Sequence, residues 1–262
     1  MLVSHESPIS ILDKSREYND YDYALVHLFE THPQYYNFFK TSVKVGRQVL
    51  LDNSIFELGE SFDSDKFAHY VKELQPNYYI VPDVLEDGYS TIHSFHNFIK
   101  KYPDLPGLKI GVVQGKTYDE LLDCYKYMSE NADYIAISFD YSYYIATGVG
   151  KTKLERYSSG RYTFINDLKR EGVWNKFKPH HLLGCSLAKE FSLYRNDYSI
   201  RSVDTSNPVV GGIKELRYNG DLGLEDKPSI KLADLIDHEV TDTEMENISY
   251  NVEQFKKIIY GN

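Results

Sequence analysis

The sequence predicts an α/β protein built as a single (β/α)8 barrel of the TIM type, and three observations lead to this fold. The chain has 262 residues, and such barrels commonly take about 250 residues as one domain. Short apolar runs alternate with amphipathic stretches, which is the rhythm of a strand followed by a helix. The runs are apolar throughout, as in parallel strands that helices cover on both faces. We therefore expect residues 1–262 to form one barrel domain that ends in a helix at about residues 243–259.

Seven strands and most of the helices can be placed from the pattern of apolar residues. An open doubly wound sheet has the same alternation, but no glycine-rich turn follows the first apolar run, so the main signature of a dinucleotide fold is missing. We place the eighth strand near residues 230–235, with Asp63 and Thr117 as helix N-caps. The predicted strands are 23–29, 49–52, 78–83, 110–114, 134–139, 181–184 and 200–204, and the helices before the last are 33–43, 65–74, 118–131, 164–173 and 187–194.

Composition and charge narrow the class of protein. No stretch approaches the roughly 18 apolar residues of a membrane-spanning helix, and the N-terminus lacks a secretory pattern. We expect a cytoplasmic protein, in the host cytoplasm if the short chain is encoded by a phage. Two cysteines, Cys124 and Cys185, are too few for a disulfide framework or a structural zinc site. The net charge of −10 argues against broad nonspecific binding to nucleic acid.

Polar residues recur at the carboxyl end of the predicted strands, where barrel enzymes place their catalytic groups. A single aspartate at such a position is usually a helix N-cap, but capping alone does not explain five strand ends that converge on one face. The residues are Asp52 with Asn53, Asp83, Gln114, Ser138 with Asp140, and Asp204. We expect these side chains to form the active site.

Two carboxylates in one site suit a substitution at a sugar carbon, with one as the nucleophile and the other as the proton donor and acceptor. The same pair could bind magnesium. Against a metal, no strand end carries two ligands in a D-x-D or H-x-H pair. We expect an enzyme that needs no metal and no cofactor.

A basic segment follows the predicted strand at residues 134–139. Residues 151–178 contain eight basic and three acidic side chains, a local charge of +5. Runs of this kind are most often solvated faces, but a flexible basic loop beside the site would also contact phosphates. We select Lys151, Lys153, Arg156 and Arg161 as nucleic-acid contacts.

The strand ends resemble motifs of the tRNA-guanine transglycosylase superfamily, and most closely its deoxypurine-in-DNA protein A branch, which inserts 7-deazaguanine bases into DNA. The matching segments occur in the family order between about residues 48 and 210. Where the family has two glycines after its first aspartate, this chain has Ser54 and Ile55. The segments are Asp52-Asn53-Ser54-Ile55-Phe56-Glu57, Asp83, Gly111-Val112-Val113-Gln114-Gly115, Leu182-Leu183-Gly184 and Val203-Asp204-Thr205-Ser206-Asn207-Pro208.

This resemblance implies a base exchange at the sugar C1′. Asp204 would be the nucleophile, and Asp52 would donate and accept the proton of the departing and arriving base. The substrate-binding residues would be Asn53, Phe56, Asp83, Gln114, Leu183 and Gly184, with Asp83 and Gln114 on the edge of the base and Phe56 and Leu183 on its faces. The chain lacks the cysteines of the zinc subdomain found in the tRNA enzymes, which favours DNA over tRNA as the partner, together with a free purine or deazapurine base.

Two other functions remain open at this point. An N-glycosidase would hydrolyse the same bond with water and would use the same residues. A barrel without catalytic activity could instead bind or shield a modified base.

Overall fold

The computed structural model describes residues 1–139, 141–185, 187–220, 223–224 and 230–261, and Asp140 therefore lies outside the described residues. Strands and helices alternate along these residues. The strands are β1 (Leu2–His5), β2 (Asp22–Leu25), β3 (Val49–Asp52), β4 (Tyr78–Ile80), β5 (Leu108–Val113), β6 (Tyr134–Ile137), β7 (His180–Leu182) and β8 (Ile200–Thr205). The helices are α1 (Leu12–Ser15), α2 (Leu28–Thr31), α3 (Pro33–Lys44), α4 (Ile55–Leu58), α5 (Ser64–Leu74), α6 (Gly88–Lys101), α7 (Tyr118–Asn131), α8 (Ser142–Thr147), α9 (Lys153–Arg170), α10 (Ala188–Phe191), α11 (Asn207–Ile213) and α12 (Asp242–Tyr260).

Within the described residues, the eight strands are parallel and form one sheet in the order β1-β8-β7-β6-β5-β4-β3-β2. With helices between successive strands, this is a nearly closed (β/α)8 barrel. The fold predicted from the sequence is confirmed, and the open doubly wound alternative is wrong. No helix of the described residues is long and apolar enough to cross a membrane.

Seven predicted strands are present, whereas the predicted position of the eighth is wrong. Residues 232–235 form a 3-10 helix, and the remaining strand is β1, which pairs with β8. Its four residues, Leu-Val-Ser-His, include two polar side chains. The segment is therefore too short and too mixed to stand out by periodicity.

The helix N-caps Asp63 and Thr117 are confirmed, because their side chains accept hydrogen bonds from the amides of Lys66 and Glu120. The predicted helix at residues 164–173 begins eleven residues earlier, at Lys153. A capping box explains the early start, since Thr152 and Glu155 each bond the other's backbone amide. The predicted basic loop is thus short, and most of its charged residues lie on α9.

The chain divides into two compact units. The first contains residues 1–20, 139–176 and 182–262, and the second contains residues 21–138 and 177–181. In the second unit β2 to β6 pair in sequence order, and an aromatic group of Phe67, Tyr79 and Phe98 fills the space between β4, α5 and α6. This packing fixes the strands whose ends carry Asp52, Asp83 and Gln114.

The first unit has its own apolar core, which lies between α11 and α12. The two helices approach closely at Gly212, where a Cβ atom would come within 2.5 Å of Ile248 Cγ1. The core consists of Ile11, Val209, Val210, Ile213, Leu232, Met245, Ile248 and Val252. Because α11 follows β8 directly, this core anchors the strand that carries Asp204.

Candidate active site

The predicted site residues lie at or just beyond the carboxyl ends of their strands. Asp52 is the last residue of β3, Gln114 follows β5, and Asp204 is the penultimate residue of β8. Asp83 lies three residues after β4. All four are at most 8% exposed. They are therefore buried polar groups whose hydrogen bonds determine what they can do.

In the second unit, Asp52 is held by two short hydrogen bonds. Tyr23 Oη donates to its Oδ2 at 2.5 Å, and the Ser54 amide donates to its Oδ1 at 2.5 Å. Tyr23 pairs with Leu50 in the β2–β3 register, so its side chain lies on the face of the sheet that also carries Asp52. The His181 ring stacks on Tyr23 with a centroid distance of 6.1 Å. Asp52 is thus an oriented carboxylate that could exchange a proton with a ligand.

The backbone after Asp52 adopts an uncommon conformation. Ser54 has φ of 63° in the left-handed region and is fully buried. A non-glycine residue in this region costs of order 1–3 kcal/mol, and such strain is concentrated at functional sites. The turn directs the Ser54 amide at Asp52 and starts α4.

Asn53, Asp83 and Gln114 form a second group in the same unit, which we call the carboxylate–amide cluster. Asn53 Nδ2 donates to Asp83 Oδ1 at 2.8 Å, and Gln114 Nε2 donates to Asp83 Oδ2 at 2.6 Å. Each carboxylate oxygen accepts one of these bonds and retains capacity for a second. The structure therefore brings together these three predicted substrate-binding residues.

The orientation of both amides in the cluster is fixed by backbone donors. The Ile55 amide donates to Asn53 Oδ1 at 3.0 Å, and the Glu86 amide donates to Gln114 Oε1 at 2.7 Å. Because each side-chain oxygen is occupied, the nitrogen of each amide must face Asp83. Asp83 is accordingly held as a double acceptor, a group that matches a ligand edge rich in N–H donors.

Burial raises the pKa of Asp83 to about 6, although the hydrogen bonds from Asn53 and Gln114 oppose the shift. An acid whose pKa is higher in the folded state binds protons more tightly there. Asp83 therefore lowers the free energy of unfolding at neutral pH, by about 3 kcal/mol, and that stability returns as the pH falls through about 6. Groups with strongly shifted pKa values are concentrated at functional sites.

In the first unit, the Asp204 carboxylate faces the turn after β7. The Gly184 amide donates to both of its oxygens, at 3.2 and 3.3 Å. Gly184 has φ of +64°, and a Cβ atom there would lie 2.4 Å from the Phe139 ring. Only glycine fits this turn, and the turn supplies the hydrogen bond that orients Asp204.

The prediction that Arg161 contacts nucleic acid is wrong. Its side chain is fully buried, and its guanidinium binds Glu190 through Nε at 2.7 Å and Nη2 at 2.9 Å. It also donates to the carbonyls of Leu183 and Gly184. Arg161 thus fixes the turn that presents the Gly184 amide to Asp204. The sequence carried a signal for this role, because Arg161 lies on the buried stripe of α9 together with Phe164, Ile165 and Leu168.

Replacing Arg161 with Met is expected to lower the free energy of unfolding by about 3–5 kcal/mol, because Glu190 would remain as a buried charge without its partner. The measurement is denaturant unfolding of the variant and the wild type. Arg156→Met is the matched control, since Arg156 is exposed on the same helix, and it should change stability by less than about 0.5 kcal/mol. Equal effects of the two substitutions would contradict the role assigned to the buried pair.

The other predicted contacts differ in exposure. Lys151, Lys153 and Arg156 are exposed, and Lys153 Nζ lies 5.3 Å from the centre of the Tyr157 ring. Phe56 is 42% exposed on α4, so its ring is accessible to a ligand. Leu183 is partly buried in the turn after β7. No local sequence pattern marks Tyr23 as a partner of Asp52, because only the strand register reveals that the two side chains share a face.

In the part of the chain that the structure describes, no group of three or more histidine, cysteine or acidic side chains is arranged to hold a metal ion. Cys124 and Cys185 are buried free thiols. Of the candidate-site carboxylates, Asp52 accepts from Tyr23 and Ser54, and Asp83 accepts from Asn53 and Gln114.

Comparison with known proteins adds no family assignment. No protein-family model and no curated protein matches this sequence. The resemblance to the transglycosylases therefore rests on the short strand-end motifs of the sequence.

Proposed function

We propose that this chain is a transglycosylase-like enzyme that exchanges a purine or 7-deazaguanine base at a nucleotide C1′, in DNA rather than in tRNA. The observation that carries the proposal is the carboxylate–amide cluster. Asp83 is retained as a buried double acceptor at a cost in stability. Guanine-type bases present adjacent N–H donors on their pairing edge, and such a carboxylate is the group that binds them once the base has left the stack. The enzyme would act in the cytoplasm, or in the host cytoplasm if a phage encodes it.

The proposed reaction has two substitutions at C1′. The Asp204 carboxylate attacks C1′, the bond to the base nitrogen breaks, and Asp52 gives that nitrogen a proton. Asp52 then takes a proton from the nitrogen of the incoming base, which attacks C1′ and releases Asp204. Protons and charges balance over the cycle, so no oxidant or reductant is consumed.

The local geometry of each carboxylate supports its role. The Gly184 amide donates to both oxygens of Asp204 and orients the carboxylate, and an oriented carboxylate is a competent nucleophile. Asp52 is oriented by Tyr23 and Ser54. At Ser54 the family motif has glycine, and the left-handed φ of 63° found there is the conformation that glycine adopts without strain.

The base itself would contact residues that the structure leaves accessible or polar. Phe56 offers an exposed ring for one face, and Leu183 offers an apolar side chain. Asn53 and Gln114 hold Asp83 in place. Asn53 Nδ2 also donates to the Val81 carbonyl, so the second hydrogen of Gln114 Nε2 is the amide donor that would reach the edge. The exposed ring also favours a flipped base over a free sugar as the ligand.

The test is mass spectrometry of nucleosides after the protein has been incubated with DNA, or with tRNA, and candidate 7-deazaguanine bases. Appearance of the new base in DNA supports the proposal. Abasic sites with released base would instead indicate an N-glycosidase. Unchanged nucleosides, with the DNA still bound, would indicate a base-binding barrel without catalytic activity.

Charge reversal of two exposed lysines, Lys151→Glu with Lys153→Glu, is expected to weaken DNA binding and to flatten its dependence on salt. Each lysine that contacts a phosphate releases counterions on binding, so the slope of log K against log salt should fall by about one per lysine. Fluorescence anisotropy with a labelled oligonucleotide at several salt concentrations measures this. Lys72→Glu with Lys126→Glu, on α5 and α7, is the control pair. Equal slopes for both pairs would mean that Lys151 and Lys153 belong to an ordinary solvated surface and do not contact the DNA.

A further inference from the structure

Strand β1 places a serine beside the proposed nucleophile. In the parallel pairing of β1 with β8, Ser4 is the register partner of Asp204, and His5 is the partner of Thr205. Neighbouring strands lie about 4.8 Å apart, so the backbones of Ser4 and Asp204 are separated by one strand spacing. Register partners in a parallel pair point to the same face. All of these residues belong to the first unit.

The next residue, His5, shows which face of the sheet Ser4 and Asp204 share. Its ring packs edge-on against Phe255 of α12, with centroids 5.5 Å apart, and its Nδ1 lies 3.0 Å from Asn19 Oδ1. Burial lowers the pKa of His5 to about 3, so the ring is neutral on the helix-covered face. Alternation along the strand then places Ser4 on the opposite face, together with Asp204.

The Ser4 hydroxyl is buried without a hydrogen-bond partner among the residues that the structure describes. Its residue is 0% exposed. An unsatisfied buried hydroxyl costs about 1–3 kcal/mol, and other buried serines of the same unit avoid this cost: Ser7 and Ser15 donate to the carbonyls of His5 and Leu12. Ser4 therefore resembles a group whose partner is a ligand.

We propose that Ser4 is a further substrate-binding residue, whose Oγ donates a hydrogen bond to an oxygen of the sugar–phosphate part of the nucleotide. The inference rests on the proposed function, because it takes Asp204 as the group that meets C1′. A side chain one strand away from Asp204, on the same face, meets the atoms next to C1′. Those atoms are sugar and phosphate oxygens, which accept from a hydroxyl.

The experiment compares Ser4→Ala with the wild type by calorimetric titration with two probes, 2′-deoxyguanosine 5′-monophosphate and free guanine. The dissociation constant of the nucleotide should rise about fivefold to tenfold, as expected for one lost hydrogen bond. The constant for guanine, which has no sugar, should stay the same. The melting temperature should not fall, because the alanine loses no partner within the protein.

Ser202→Ala is the matched control, since Ser202 lies on the same face of β8 two residues before Asp204, and it should leave both constants unchanged. Ser4→Ala protein that binds the nucleotide as tightly as wild type would overturn the role of Ser4 alone. A lower melting temperature of the Ser4→Ala protein would also overturn this role, because it would show that the hydroxyl has a structural partner within the protein. Wild-type protein that binds neither probe would overturn both the proposed function and this inference.

Discussion

An Asp204→Asn protein is expected to form no sugar adduct that survives denaturation and to lose base exchange by a factor on the order of 10³ or more, because the attacking negative charge is gone. Asparagine keeps the shape of the side chain, and its Oδ1 can still accept from the Gly184 amide, which donates to Asp204 at 3.2 Å. Binding of the oligonucleotide should therefore change little. The measurement is denaturing electrophoresis with a labelled oligonucleotide, followed by mass spectrometry of the shifted band.

The control for this substitution is Asp234→Asn, which changes an exposed carboxylate of the same unit and should leave adduct formation and turnover intact. A denaturation-stable adduct in the Asp204→Asn protein would show that another residue is the nucleophile. Loss of binding together with turnover would instead favour a barrel that binds a base without catalysis.

The positions of these polar site residues were predictable because one physical rule governs them. Buried parallel strands read as continuous apolar runs, and a polar residue at the end of such a run lies at the carboxyl edge of the sheet. Asp52, Gln114 and Asp204 all satisfied this rule. Strand β1 did not, since half of its four residues are polar, and its place is determined by pairing with β8 rather than by its own pattern.

The contacts of the site could not be read from the sequence for a different reason. Charge patterning assigned Arg161 to the surface, whereas its partner Glu190 lies 29 residues away in the chain, and no local pattern pairs them. The bond between Tyr23 and Asp52 likewise spans 29 residues and depends on strand register. Hydrogen bonds of this range are set by the fold, so they become visible only once the strands are aligned.

An Asp52→Asn protein should slow both formation and resolution of the adduct, by about 10²- to 10⁴-fold, because general acid–base catalysis contributes an effect of this size to each proton transfer. The asparagine oxygen can still accept from the Ser54 amide, so the turn after β3 should persist. The asparagine cannot give or take a proton as the Asp52 carboxyl does. The limb of the pH–activity profile that reports Asp52 should therefore be absent. Stopped-flow quench experiments that follow adduct formation and decay separately measure both steps.

Tyr23→Phe provides the comparison that separates proton transfer from mere positioning at Asp52. It keeps the carboxylate but removes the hydroxyl that donates to Asp52 Oδ2 at 2.5 Å. A hydrogen bond donated to the ionised form favours ionisation, so without it the Asp52 limb of the pH profile should move to higher pH while remaining present. A Tyr23→Phe protein with an unshifted profile would mean that the hydroxyl only packs against Asp52. If adduct formation stays at the wild-type rate in Asp52→Asn, a different group must protonate the departing base.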